Sequence, residues 1–312
     1  MRRLLLLLLL LQDEEVAKYK PELTRPADFK EFWKKQLDGL PKIEPKLEKV
    51  EKASTAKVTA YDLKYASADG ATEVWGWISI PVSGAKLPAV VQIPAFGGRR
   101  GEAPPRRQDA VSLVVGYRGD GDAPWPGDWI TRGLDKAENS VFRTHYLNLV
   151  QAIRYLQSRA EVDPKKIFLQ GGSLGGALCV VVAGLLGKEI AGIVASEPGM
   201  DYYFLKDGSP VESSFKQMEQ FVAKNPDRKE TILKILGYYA PLNFAPDVTC
   251  DALFSCGGKD TLCTPRMVHA VYNHLGGAKE MKFYAEATHG GGPGLKDEWP
   301  KAVTDWFSKR LK

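Results

Sequence analysis

The stretch Gly171-Gly172-Ser173-Leu174-Gly175 sets one serine among glycines, after an apolar run at 167–170 and before another at 177–186. A strand that turns sharply into a helix leaves no room for side chains beside a serine at the turn. The spacing therefore fits a G-x-S-x-G elbow, which exposes the hydroxyl as a nucleophile. Two other glycine-rich loops have similar spacing and do not fit. A phosphate-binding loop requires a Gly-Lys-Ser/Thr ending, which this segment lacks, and a dinucleotide fingerprint requires glycine at its third position, where Ser173 stands. The plainer reading, a small residue in a tight turn, does not account for the strand and helix patterns on either side.

A serine hydroxyl attacks a carbonyl only when a base takes its proton, and an acid must hold that base in one tautomer. On folds that carry this elbow the order along the chain is serine, acid, histidine. The chain has 4 histidines. His145 precedes Ser173 in the helical FRTHYLNLVQAIRYL, and His269 and His274 sit five apart on PRMVHAVYNHL, a spacing that does not share a helix face. Packing or surface roles suit all three. His289 follows MKFYAEAT in a glycine-rich loop before the last helical stretch, where the base is expected. Asp260 follows a strand-like run at 252–256 and two glycines, at the strand end where open α/β sheets bind ligands. A turn or N-cap aspartate is its plainer reading, and Glu286 is the fallback acid.

An oxyanion forming at the carbonyl needs backbone donors. The N–H of Leu174 is one, and the loop QIPAFGGRRG offers Phe96 as the second, with Gly97 and Gly98 allowing close approach. One such donor contributes about 3–4 kcal/mol of transition-state stabilisation. Trp125, Pro198 and Tyr202, the last within Tyr202-Tyr203-Phe204, are candidates for a pocket wall, against the commoner fate of an aromatic run as core.

The elements that must position these residues follow from periodicity. Short apolar strands at 89–93, 111–115, 167–170, 190–195, 252–256 and 281–284 alternate with helical stretches at 141–158, 174–186, 265–275 and 297–310. That alternation predicts an α/β fold, a mostly parallel central sheet with helices on both faces. Before it, TRPADFKEFWKKQLDGL reads as an amphipathic helix packed on the main body, and 57–81 reads as an antiparallel hairpin about the turn SADGAT. Residues 199–240 read as a helical, lid-like excursion within a single domain spanning 13–312.

Composition narrows the function classes. Lys and Arg number 43 against 38 Asp and Glu, a net charge of +5, with the basic residues scattered; a nucleic-acid partner is not expected. Cys179, Cys250, Cys256 and Cys263 lack any metal-ligand spacing and read as buried free thiols, with one disulfide among the last three left open. Residues 1–12, MRRLLLLLLLLQ, resemble a shortened signal peptide, too short to span a bilayer and lacking a small-x-small cleavage site. The expected location is secreted or periplasmic, with no membrane association once the leader is removed, and cytoplasmic if the leader is not functional.

Several longer motifs carry a family resemblance. RPADFKEFW, FGGRRG, YRGDGD with PGDWITRGLD, EVDPKKIFLQGGSLGG, NFAPDVTC, GGKDTLCTP and VYNHLGGAKEMKFYAEATHGG run collinearly from about residue 20 to the end. Together they resemble the acetyl xylan esterase and cephalosporin C deacetylase family, carbohydrate esterase family seven. The resemblance implies an α/β-hydrolase fold, removal of small acyl groups, mainly acetyl, from sugars and related alcohols, and a homo-oligomer, a trimer or a hexamer built from trimers. Four positions depart from the family pattern. Leu174 and Asp120 stand where the family has glutamine, Gly290 where it has glutamate, and Pro94-Ala95-Phe96 where it has His-Gly-Tyr. These changes spare the serine, acid and base and alter side chains that would meet the substrate; Asp120 can pair with Arg118 to hold its loop.

The reading is a serine esterase acting on a small-molecule or oligosaccharide ester through an acyl-enzyme, with Ser173, His289 and Asp260 as nucleophile, base and orienting acid, and with no metal or organic cofactor. Two alternatives stand beside it. One is hydrolysis of other esters or peptides on the same fold, although a prolyl-oligopeptidase relative would carry a propeller for which this chain is too short. The other is a carbohydrate-binding or assembly protein that has lost turnover.

Overall fold

The computed structural model describes residues 15–97, 106–119, 127–200 and 216–312. Among them nine strands form one sheet: β1 (Lys46–Lys49), β2 (Val58–Ala66), β3 (Glu73–Pro81), β4 (Leu87–Ile93), β5 (Val111–Gly116), β6 (Val162–Gly172), β7 (Gly192–Ser196), β8 (Asp251–Gly257) and β9 (Lys279–Tyr284). Their order is β1-β2-β3-β5-β4-β6-β7-β8-β9. The pairs β1/β2, β2/β3 and β3/β5 are antiparallel, and every pair from β5/β4 onward is parallel. The chain leaves β4 for β5 on one side and returns at β6 on the other. The loops after β4 and β6 therefore meet at a topological switch point, where ligands bind on such sheets.

The central strands are apolar on both faces because both are covered. Ile167 and Leu169 enter the larger core while Phe168 between them enters the smaller one, and Ile193 and Val194 divide in the same way. The larger face carries α2 (Val141–Gln157), α3 (Leu174–Leu186) and α6 (Pro265–His274); the smaller carries α7 (Glu298–Arg310) through Trp299, Trp306 and Phe307. α3 follows the elbow and is apolar nearly all round, so it has no solvent face to prefer and sits in the core.

α1 (Phe29–Asp38) docks on the body as its periodicity predicts. Phe29, Phe32 and Trp33 are buried, Trp33 stacks on Tyr146 at 5.7 Å, and its indole N–H donates to the Tyr238 carbonyl at 2.9 Å. The hairpin is also present, running from the Val58–Pro81 pair to Ala66–Glu73. β1, the sequence KLEK, has no hydrophobic alternation to announce it; it is a short, charged edge strand, a composition that discourages further pairing. Within the predicted excursion lie α4 (Lys216–Lys224) and α5 (Lys229–Gly237); its 201–215 segment lies outside the described residues. All four cysteines are unpaired, so the disulfide left open among Cys250, Cys256 and Cys263 is not formed. No helix among the described residues is long and apolar enough to cross a membrane.

Candidate active site

Ser173 sits between β6 and α3 with φ +52° and ψ −125°, a left-handed backbone that is rare for a residue with a side chain. Such strain costs about 1–3 kcal/mol and persists only where the surroundings impose it. Here they do: the Ser173 N–H donates to the Ser196 carbonyl at 2.8 Å, and its own carbonyl accepts from Ala177 at 3.1 Å and Gly199 at 3.3 Å. Of the flanking glycines, Gly171 and Gly175 are required by contact, whereas a Cβ on Gly172, next to the serine, would meet nothing nearer than 3.8 Å. A Cβ on Gly171 would lie 2.4 Å from Gly175 backbone atoms, and one on Gly175 would lie 2.2 Å from the Ile93 carbonyl oxygen. Gly175→Ala therefore forces the start of α3 away from the end of β4. We expect a loss of about 3 kcal/mol of stability by urea denaturation, and an unchanged midpoint would show the contact to be slack.

Asp260 reaches the site from the loop after β8. Its side chain is fully buried, and its two oxygens divide the work. Oδ1 accepts from the Leu262 N–H at 2.8 Å and the Cys263 N–H at 2.9 Å, which is the turn role expected of an aspartate there. Oδ2 lies 2.8 Å from His289 Nδ1. A carboxylate only accepts, so Nδ1 carries the proton and Nε2 is left bare. Nε2 lies 3.1 Å from Ser173 Oγ, within reach to take its proton. The hydrogen bond to Asp260, followed by one to Cys263, raises the His289 pKa above the ordinary histidine value in spite of partial burial. Glu286, the fallback acid, is exposed and pairs with Lys259 instead.

The histidine is held by a two-residue turn. Thr288 and Gly291 exchange backbone hydrogen bonds of 2.9 and 3.2 Å around His289 and Gly290, and Gly290 takes φ +66°. The acid and base loops are tied together: Gly258 N–H donates to Tyr284 at 2.8 Å and Lys259 N–H to Ala287 at 2.9 Å.

Leu174 opens α3, where the first amides of a helix lack internal partners and suit an anion. Phe96 lies in the loop after β4; the residue is 48% exposed and its ring is edge-on to Trp129 at 5.4 Å. The close approach of Gly175 to the Ile93 and Pro94 carbonyls sets this loop beside the elbow. Pro198 does not serve as a pocket wall: it is buried with Gly176 packed against it, which leaves little surface for a substrate. Trp125, Tyr202, Tyr203, Phe204 and Asp120 lie outside the described residues. His145 is buried, stacked on Trp129 and beside Tyr117. His269 is buried on α6, and His274 Nε2 pairs with the Pro21 carbonyl at 2.7 Å.

A sequence profile of the acetyl xylan esterase (AXE1) family matches residues 6–309, nearly the whole chain. The protein belongs to that family. It is accordingly a carboxylic ester hydrolase on the α/β-hydrolase fold. Acetyl esterase Axe7A of Xylanibacter ruminicola is 28% identical over 320 residues, covering 94% of this chain and 69% of that protein. The acetyl xylan esterase of Paenibacillus sp. R4 superposes with a TM-score of 0.83 at 24% identity, over 96% of this chain and 99% of that one. Acetyl xylan esterase 1 of Thermoanaerobacterium sp. JW/SL YS485 gives 0.82 at 22% identity, over 94% and 98%.

Two residues at the centre of the esterase escape sequence reasoning. Cys263 is buried with Sγ 3.8 Å from Ser173 Oγ, brought there by the turn that Asp260 Oδ1 organises. Glu197, at the end of β7, is 2% exposed, has φ +44°, and accepts the Gly290 N–H on Oε2 at 2.8 Å. Burial pushes its carboxyl up to about 7. The signal available in SEPG was an acid at the end of an apolar strand, next to the elbow strand. Asp260, Cys263 and His289 form the one cluster among the described residues with donor atoms close enough for a cation. Asp260 and His289 already spend these atoms on Ser173, each other and the turn amides, so we assign the cluster no metal.

Proposed function

We propose that this esterase removes acetyl and other small acyl groups from carbohydrates through an acyl-enzyme formed on Ser173. The observation that carries the reading is the unbroken chain from Asp260 Oδ2 to His289 Nδ1 at 2.8 Å and from His289 Nε2 to Ser173 Oγ at 3.1 Å. Ser173 Oγ bonds to the ester carbonyl carbon as His289 Nε2 takes its proton. The carbonyl oxygen becomes an oxyanion, which the Leu174 and Phe96 amides receive. As the carbon–oxygen bond breaks, the imidazolium returns the proton to the leaving alcohol. Water, deprotonated by the same imidazole, then releases the acid and restores Ser173.

The test is turnover of p-nitrophenyl acetate, butyrate and octanoate, followed by acetylated xylo-oligosaccharides. We expect kcat/KM for acetate to exceed that for octanoate by at least about tenfold, since a pocket shaped for two carbons must open for eight. Equal turnover of all three would remove the small-acyl reading. The resemblance also supports a homo-oligomer, checked by mass in solution, and the signal-like leader at residues 1–12 supports an exported protein, checked by the N-terminus of the secreted product.

A further inference from the structure

Glu197 and Ser173 are the described non-glycine residues with left-handed backbone. For Ser173 the elbow explains it. For Glu197 the hydrogen-bond chain just described offers no reason, although its position is central. Ser196 pairs with Gly172 on β6 and with Ser255 on β8. The next residue thus stands between the strand end that carries Ser173 and the one that leads to Asp260. Its N–H donates to the Ser255 carbonyl at 3.1 Å, which fixes the backbone turn.

The carboxyl is aimed inward. Oε2 accepts from Gly290, the residue after His289. Oε1 is shut from solvent with no hydrogen-bond partner, in a space that exists because residue 257 is glycine; a Cβ there would lie 2.7 Å from it. An orphaned buried carboxylate oxygen is costly. The titratable groups that face Glu197 among the described residues are Asp260 from the loop after β8, His289 from the loop after β9, and the Cys256 thiol of β8. Burial opposes its ionisation first, the Gly290 N–H favours it, Asp260 opposes it and His289 favours it. Protonated at Oε1, Glu197 can direct an O–H at the Asp260 carboxylate, which gives the orphan atom a partner.

We infer that Glu197 is a positioning residue of the site: it pins the turn that carries His289 and, as fourth member of the chain Ser173, His289, Asp260, Glu197, sets how tightly the imidazole holds its proton. The inference rests on the acyl-enzyme reading above. An imidazolium that favours ionised Glu197 is by reciprocity held by it. As pH rises and Glu197 loses its proton, the second negative charge strengthens the grip on the His289 proton.

The test is an NMR titration of the His289 imidazole in the wild type, Glu197→Gln and Glu197→Ala, alongside kcat and KM on p-nitrophenyl acetate. Glutamine keeps an acceptor for Gly290 and a donor for Asp260 but carries no charge. The expected result is a His289 midpoint lowered by roughly 0.5 unit or more in Glu197→Gln, with most of the kcat retained. In Glu197→Ala the turn is unpinned, and kcat falls by up to roughly 100-fold with KM little changed. An unmoved midpoint in Glu197→Gln, or wild-type kcat in Glu197→Ala, overturns the inference. If the alanine variant does not fold, the glutamine titration decides alone. The titration is read without turnover, so its failure is distinct from failure of the esterase reading, which Ser173→Ala tests.

Discussion

Ser173→Ala abolishes ester hydrolysis and leaves the fold standing. Alanine and serine differ by one oxygen, and both carry a Cβ, so the strain of the φ +52° backbone is the same in either. What disappears is the hydrogen bond to His289 Nε2 at 3.1 Å and the sulfur contact to Cys263 at 3.8 Å. Losing one such bond at a partly solvated site changes stability by about 1 kcal/mol. The chemistry loses its only acyl acceptor. Removing the nucleophile of a triad costs on the order of 10⁶ in kcat, because the remaining members then have nothing to activate. Residual catalysis from the oxyanion donors sets the floor. Rates on p-nitrophenyl acetate and a urea unfolding curve for the same preparation check both halves. Activity within tenfold of wild type would refute the nucleophile assignment, and it would revive the reading of a binding protein whose hydrolysis belongs to another site.

Much of this arrangement is legible in the sequence because the sheet writes its own punctuation. β6, β7 and β8 are apolar runs closed by glycine or small residues, and Ser173 and Asp260 are polar residues stranded just past such runs. β9 is less apolar, yet His289 still stands out in the glycine-rich loop beyond it. A strand end is where a parallel sheet presents side chains to a ligand, so those residues declare themselves by position. What is not legible depends on contacts between distant segments. Glu197 also follows an apolar run, but SEPG reads as an ordinary turn until Gly290, from a loop 93 residues on, donates to it. Cys263 reads as a buried thiol, and only the turn around Asp260 Oδ1 sets it against Ser173. Pro198 has the right position for a pocket wall and the wrong environment, because Gly176 lets it pack into the elbow's support. β1 is invisible for the opposite reason: in KLEK only Leu47 turns to the core, and one apolar residue among three charged ones makes no alternation.

Asp260→Asn lowers kcat/KM by about 10⁴, and the reason lies in how the two carboxyl oxygens are used. Leu262 and Cys263 both donate to Oδ1, at 2.8 and 2.9 Å, so an asparagine must keep its carbonyl oxygen there to satisfy two amides, one of them buried. Its NH₂ then takes the place of Oδ2 and faces His289 Nδ1. An amide nitrogen only donates, so Nδ1 must become the acceptor and the ring proton moves to Nε2. In that tautomer Nε2 donates towards Ser173 Oγ instead of accepting from it, and the serine keeps its proton. The same substitution moves the pH profile. In the wild type the bond to Asp260 is the foremost cause holding the His289 pKa above the ordinary value of about 6.5. Since the imidazole works as base only when neutral, kcat/KM rises with pH through a midpoint above that value. The contribution of the bond to folding has the opposite slope. It is complete below about pH 6.5 and fades as pH rises through the folded-state pKa, because the folded protein binds the proton more tightly than the unfolded chain does. Asp260→Asn removes that grip, so the residual activity should rise at lower pH than in the wild type. Profiles of kcat/KM on p-nitrophenyl acetate for the two proteins test this, and a variant with full activity or an unmoved ascending limb would mean that another group orients His289.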